Sequence, residues 1–268
     1  MDDNDLDALA ALAQRLADAA APIALRYFRQ HVAVDVKSDH SPVTIADREC
    51  EAAMRAILGR EVPAHGIHGE EHGLERVDAR DVWVLDPIDG TRAFITGRPL
   101  FGTLIALCRE GVPVLGVCDC AALGERWVGV AGRPTLYFGP GHARDAAPRP
   151  SRTRPCAALD QALLGCCSPY MFHGPERAAF ERLAGAVRSP LFGGDCFNYG
   201  QVASGYMDLV VEASLKPFDF AALVPIIAGA GGVCTDWQGR ALRLDSDGHV
   251  IAAGDARVHE AARAMLAA

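Results

Sequence analysis

Residues 82–108 constrain the fold more than any other stretch. The apolar run VWVL (82–85) stops at Asp86-Pro87-Ile88-Asp89-Gly90-Thr91-Arg92, and apolar sequence of strand length resumes with GTLIALC at 102–108. Two such segments around a tight acidic insert read as buried strands with a rigid connection at the end of the first. Asp-Pro and Asp-Gly both favour turns, so an Asx-type turn with solvated acids explains the insert by itself. The other reading is chemical. Asp86 and Asp89 are three residues apart, with Pro87 stiffening the turn, and can face one point. Two carboxylates that close repel unless a cation neutralises them. Hard oxygen ligands suit Mg²⁺, which keeps waters and takes phosphate oxygens. Six residues leave both readings open.

The flanking sequence predicts alternating elements. Leu6, Leu9, Leu12, Leu16, Ile23 and Tyr27 recur at near-helical spacing, which predicts a helix over 4–30, bent at Pro22. A second helix is predicted over 44–58 with Thr44 as its N-cap. Strands are predicted at 66–69, 82–86, 102–108, 114–119 and 125–130, the last three as an antiparallel meander. The Pro-, Gly- and Arg-rich stretch 139–155 reads as an exposed connection between an N-terminal half (1–138) and a C-terminal half (156–268) of one catalytic domain. In the second half, strands near 162–167, 188–192, 208–213 and 249–253 alternate with helices near 175–187, 196–205, 218–230 and 255–267. That alternation predicts a layered α/β fold.

Charge narrows the function. A net charge of −8 argues against nucleic-acid and anionic-membrane partners and suits a protein that binds cations. No apolar run is read as spanning a membrane. The acidic start MDDNDLDAL lacks the basic-then-apolar order of a secretory signal, so a cytoplasmic location is expected. The nine cysteines show no zinc spacing and read as buried reduced thiols that pack as small hydrophobes.

Further acids join the first pair. Gly69-Glu70-Glu71 follows a short strand, and Glu70 is either a third ligand or part of a wet loop. His68 and His72 could ligate a metal, but two lone histidines on a loop are more often surface groups. Phe218-Asp219-Phe220 places an acid among aromatic residues at a helix start, where it either caps the helix or holds a cation. Gly231-Gly232 then stops that helix. Gly90 and Thr91 open a further helix through Phe94, whose free N–H groups would attract phosphate.

Gly69-Glu70-Glu71, Asp86-Pro87-Ile88-Asp89-Gly90-Thr91, and Phe218-Asp219 followed by Gly231-Gly232 together resemble the inositol monophosphatase family of magnesium-dependent phosphatases, in order and spacing over nearly the whole chain. One departure is Phe218, where the family usually has Trp. The resemblance implies an αβαβα sandwich and a homodimer, with 100–130 and 170–190 as candidate contact regions. It also implies two or three Mg²⁺ ions per site. Glu70, Asp86 and the Ile88 carbonyl would hold one ion, and Asp86, Asp89 and Asp219 a second. Glu70 and Thr91 would activate the attacking water, with Asp47 as a further acid nearby. Asp47 also stands three residues after Thr44, where a capping role is expected. Gly90, Thr91 and Arg92 would bind phosphate, though Arg92 can equally lie on the surface.

Family resemblance leaves the phosphate monoester open. Gly194 stands where inositol phosphatases usually have Thr or Ser, Asp195 where a small residue is usual, and Glu212 matches a substrate-contacting acid. Two acids suit a cationic leaving group better than a neutral polyol. Together with Arg92, Gly-Asp-Cys (194–196) and LKPFDF (215–220), they are similar to the histidinol-phosphate phosphatases of the family, which act in histidine biosynthesis. Inositol-1-phosphate, or a broader range of sugar or nucleotide phosphates, is the alternative. An N-cap role for Asp195 competes with substrate contact. A non-catalytic binding protein is disfavoured because Glu70, Asp86, Asp89, Thr91 and Asp219 are all present.

Overall fold

A computed structural model describes residues 3–31, 33–36, 42–139 and 147–267. Helix α1 (Asp3–Tyr27) is followed by strands β1 (Val34–Val36) and β2 (Pro42–Thr44) and by α2 (Ile45–Glu61). Next come β3 (Gly66–Gly69), β4 (Gly73–Glu75), β5 (Asp81–Asp89), the short α3 (Thr91–Ile95), β6 (Gly102–Arg109), β7 (Val112–Cys120), β8 (Glu125–Val130), β9 (Leu136–Phe138) and β10 (Arg149–Pro150). The second half runs β11 (Leu163–Cys166), α4 (Pro175–Ala186), β12 (Ser189–Phe192), α5 (Asp195–Ala203), β13 (Leu209–Glu212), α6 (Pro217–Phe220), α7 (Leu223–Gly229), β14 (Val233–Thr235), β15 (Val250–Ala253) and α8 (Ala256–Ala267).

Two large sheets form. One has eight strands in the order β10-β9-β8-β7-β6-β5-β3-β4, antiparallel except for the parallel pair β3 and β5. The other is mixed, in the order β12-β11-β13-β15-β14. The eight-stranded sheet is covered on both faces, which is why β5 and β6 read as nearly continuous apolar runs. Trp83, Leu85, Ile105 and Leu107 face α1 and α2, whereas Val84, Leu104 and Ala106 face α5 and α7. The middle helices also pack on Val210, Val250 and Ala252 of the second sheet, and α4 and α8 cover its far face. The layers therefore run helix, sheet, helix, sheet, helix, as expected. The middle layer lies very close. A Cβ at Gly116 would stand 1.9 Å from the Ala222 carbonyl oxygen, and one at Gly129 2.5 Å from the Ile226 nitrogen.

Several sequence expectations need correction. Helix α1 ends at Tyr27 rather than 30, and Pro22 does not interrupt it. Its stretch Asp5–Tyr27 is long and apolar enough to cross a membrane, contrary to the sequence reading, but Leu6, Leu12 and Leu16 are buried in the core. Residues 140–146 of the expected connection lie outside the described residues. Its later part is no free loop: β10 extends the large sheet, and buried Ser151 donates to the Ala203 carbonyl at 2.8 Å. The helix expected over 218–230 is two segments, α6 and α7. Gly231 (φ 96°) ends it as expected: Gly232 N–H donates to the Ile227 carbonyl and Gly231 N–H to that of Ala228.

Candidate active site

The acidic insert forms at a break in a strand ladder. Asp86 pairs with Leu104 and Asp89 with Gly102, with a register shift between them. Pro87 has no N–H to offer the ladder, and its carbonyl accepts a hydrogen bond from Thr103 Oγ1 at 2.8 Å. The Ile88 N–H folds back onto Asp86 Oδ1 at 3.0 Å. This Asx-type turn coexists with the cation-binding reading rather than excluding it. Asp219 arrives from α6, where its Oδ2 accepts from the Lys216 N–H at 2.6 Å. It is thus the third helical residue, not the N-cap. Asp86, Asp89 and Asp219 bring one carboxylate oxygen each within 4.8 Å of the others.

Glu70 follows β3, whose parallel pairing with β5 sets it beside Asp86; its N–H donates to the Leu85 carbonyl at 3.1 Å. Burial raises the Asp86 carboxyl well above its ordinary range, and the charges of Glu70, Asp89 and Asp219 add to the rise. Burial likewise raises Asp89 well above that range, reinforced by Asp195 and Asp219. The Cys196 N–H, donating to Asp89 Oδ2 at 2.6 Å, opposes this. Asp47 completes the capping box on α2, accepting from the Thr44 N–H at 2.8 Å and hydroxyl at 2.6 Å. Its other oxygen, Oδ1, is buried with no hydrogen-bond partner among the described residues, and burial, followed by the charge of Glu70, raises its pKa. A buried acceptor left unpaired beside clustered carboxylates is what a hard cation and its waters would satisfy. The residues present therefore fit divalent metal.

Gly90 (φ 83°) opens α3, and a Cβ there would meet Asp195 Oδ2 at 2.9 Å and the Leu100 carbonyl oxygen at 3.0 Å. Thr91 Oγ1 donates to the Ile88 carbonyl at 3.1 Å. Arg92 is exposed, and its charge acts on Asp195. Gly194 (φ 109°) is the N-cap of α5, and a Cβ there would lie 2.4 Å from Asn198 Oδ1. The expected N-cap role of Asp195 thus falls to Gly194. Asp195 instead begins the helix at φ 42°, a left-handed conformation uncommon for a residue with a side chain, and accepts from Cys167 Sγ at 2.7 Å. Buried Glu212 accepts from the Cys167 N–H and the Tyr199 hydroxyl, both at 2.8 Å. Burial pushes its pKa up to about 7 against those two hydrogen bonds. Asp89, Gly90, Thr91, Arg92, Asp195, Glu212 and Asp219 all line one cavity of about 330 Å³. Phe218 keeps an aromatic wall, its ring edge-on to His68 at 6.1 Å.

The sequence reading missed Glu51. Fully buried on α2, it accepts from the N–H groups of Glu71 (2.7 Å) and His72 (3.2 Å), which fixes the turn carrying Glu70. Arg55 pairs with it at 2.7 Å. The signal was present, because Asp47, Glu51, Met54 and Leu58 form one buried stripe on α2. Two charged residues in an apolar stripe mark a polar device. Tyr199, fully buried against Glu212, carried no comparable signal.

The family model described as "Inositol monophosphatase family" matches residues 5–268. The chain belongs to the inositol monophosphatase family. It is 44% identical to the bifunctional phosphatase IMPL2, chloroplastic, of Arabidopsis thaliana, covering 99% of this chain and 77% of that protein. It is 36% identical to the histidinol-phosphatase of Chlorobaculum parvum over 90% of each chain. A solved inositol monophosphatase from Zymomonas mobilis is 50% identical, with a TM-score of 0.87 over 98% of each chain. The chain is accordingly a phosphoric monoester hydrolase of a metal-dependent family, and the layered fold is that of its structural relatives.

Proposed function

We propose that the chain hydrolyses L-histidinol phosphate to L-histidinol and phosphate, using two or three Mg²⁺ ions held by Glu70, Asp86, Asp89, Asp219 and the Ile88 carbonyl. When bound there, Mg²⁺ would polarise phosphoryl oxygens and lower the pKa of the attacking water. The chain's own groups supply the rest. The Thr91 proton is committed to the Ile88 carbonyl, so Thr91 presents an acceptor lone pair to a water, and Glu70 beside Asp86 is placed to take that water's proton. Asp47 is the further acid near Glu70, whose charge acts on it, and Gly90, Thr91 and Arg92 would bind the phosphate. Water attacks phosphorus, the bond to the leaving oxygen breaks, that oxygen takes a proton from solvent, and Glu70 returns to solvent the proton it took from the attacking water.

The single observation that carries the substrate is the second pair of acids, Asp195 and Glu212, in the same cavity as Asp89 and Asp219. A carboxylate pair on the leaving-group side favours a cation such as the ammonium of histidinol, and Gly194 offers no hydroxyl to a polyol. Relatives named histidinol-phosphatase support this reading. The solved relative titled as an inositol monophosphatase, at 50% identity, favours inositol-1-phosphate as the second reading. Phosphate release in excess Mg²⁺, with the two esters at equal concentration, decides between them. A strong preference for histidinol phosphate that is lost in Asp195→Ala is expected. A preference for inositol phosphate in the unaltered enzyme would overturn the substrate assignment. A homodimer in a cytoplasmic setting completes the proposal, and sedimentation equilibrium tests the dimer.

A further inference from the structure

Cys196 lines the catalytic cavity, and a second cluster of ligand atoms lies behind it. Its sulfur meets those of Cys118 and Cys120, all three Sγ atoms lying within 4.8 Å of one another. The arrangement follows from the fold. Cys118 and Cys120 are two apart on β7 and so share a face of the sheet, and α5 lays its first turn across that face. Gly102 on the neighbouring strand makes the room, since a Cβ there would stand 2.7 Å from Cys196 Sγ and 3.3 Å from Cys120 Sγ. All three thiols are free, with solvent exposures of 0%, 0% and 2% for Cys118, Cys120 and Cys196.

We propose that Cys118, Cys120 and Cys196 form a site for one thiophilic divalent cation of the zinc and cadmium class, entered through the catalytic cavity, and that its occupancy inhibits the phosphatase. Metal–sulfur bonds of about 2.3 Å put the sulfurs of a tetrahedral zinc site roughly 3.8 Å apart. An inward movement of about 1 Å or less therefore closes three sulfurs at 4.8 Å around an ion. The fourth position is left to a water from the cavity. Soft sulfur ligands exclude Mg²⁺, which the carboxylates take instead. Binding is a proton exchange, not a redox step: three S–H bonds break, three metal–sulfur bonds form, and three protons leave to solvent. Inhibition follows from Cys196 itself. Its sulfur joins the triad while its backbone N–H holds Asp89 Oδ2, so drawing the sulfur inward displaces that hydrogen bond.

The test is a titration of the enzyme with Cd²⁺ in excess Mg²⁺, followed by ultraviolet sulfur-to-cadmium charge-transfer absorption and by phosphate release. One Cd²⁺ per chain with thiolate absorption is expected. The Cys118→Ala/Cys120→Ala variant should lose the absorption, keep its Mg²⁺-dependent turnover, and need about tenfold or more Cd²⁺ for half-inhibition. Should the double variant not fold, Cys120→Ala alone gives the same readouts. Absence of the absorption, equal absorption in the variants, or equal inhibition of variant and unaltered enzyme would overturn the proposal. The absorption needs no substrate, so a wrong assignment of the phosphate ester leaves this test intact.

Discussion

Two sets of buried or half-buried acids in this molecule have the same side chains and opposite surroundings. Asp208, Glu51, Asp119 and Asp81 each face an arginine, respectively Arg154, Arg55, Arg126 and Arg109, at 2.6–2.8 Å. Around Asp86 and Asp89 the charges that act most strongly are other carboxylates. The first set satisfies buried charge within the chain and fastens elements together. Asp208, for example, ties Arg154 of the inter-half segment to β11 through the Leu163 N–H. The second set requires positive charge from elsewhere, and Asp89 and Asp219 line a cavity through which it can come. What separates the arginine-paired acids from the proposed metal-binding ones is the source of the neutralising charge.

Substitution should separate the sets. Asp89→Asn removes a proposed metal ligand and one of the mutually repelling charges. Turnover in Mg²⁺ should fall on the order of 10²–10³-fold, while the metal-free melting temperature holds or rises. A variant with near-normal turnover would break the comparison. Glu51→Gln acts through another residue: it loosens the turn bearing Glu70 and leaves Arg55 with Glu75 as its carboxylate partner. A stability loss of about 3 kcal/mol is expected. A kcat loss of roughly 10-fold or more, with KM little changed, should accompany it. An unchanged kcat would make Glu51 purely structural.

The pH dependence of the metal-free protein should differ from that of ordinary domains. Asp47, Asp86, Asp89, Asp195 and Glu212 all have raised pKa values, so the folded state binds more protons than the unfolded one above the usual carboxylate range. Stability therefore falls as pH rises through that window, which for Glu212 runs from 4.5 to about 7. Thermal melts with chelator should show the fall, and saturating Mg²⁺ should flatten it. A rise in stability with pH in chelator would contradict the assignment. The smallest effect belongs to Asp208, the member of the arginine-paired set with no part in the turn that carries Glu70. Asp208→Asn should cost about 1–2 kcal/mol, limited because Arg154 is partly solvated, with kcat unchanged.

The sequence made the clustering of Asp86, Asp89 and Asp219 legible because local geometry places them. Pro87 and the broken ladder of β5 fix Asp86 and Asp89, and the start of α6 fixes Asp219. The sandwich of layers was legible from the periodic apolar runs. Short strands such as β4, β9 and β14 carried too little pattern to be read. Glu51 was overlooked although its place in the α2 stripe announced it. The meeting of Cys118 and Cys120 with Cys196 had no local signal, because the packing of α5 on β7 creates it across the two halves.

The most direct test of the account is a calorimetric titration with Mg²⁺ of the unaltered enzyme, Asp208→Asn and Asp89→Asn. The account predicts saturable binding by the first two and binding weakened about tenfold or more in Asp89→Asn. No binding by the unaltered enzyme, or equal binding by Asp89→Asn, would contradict it.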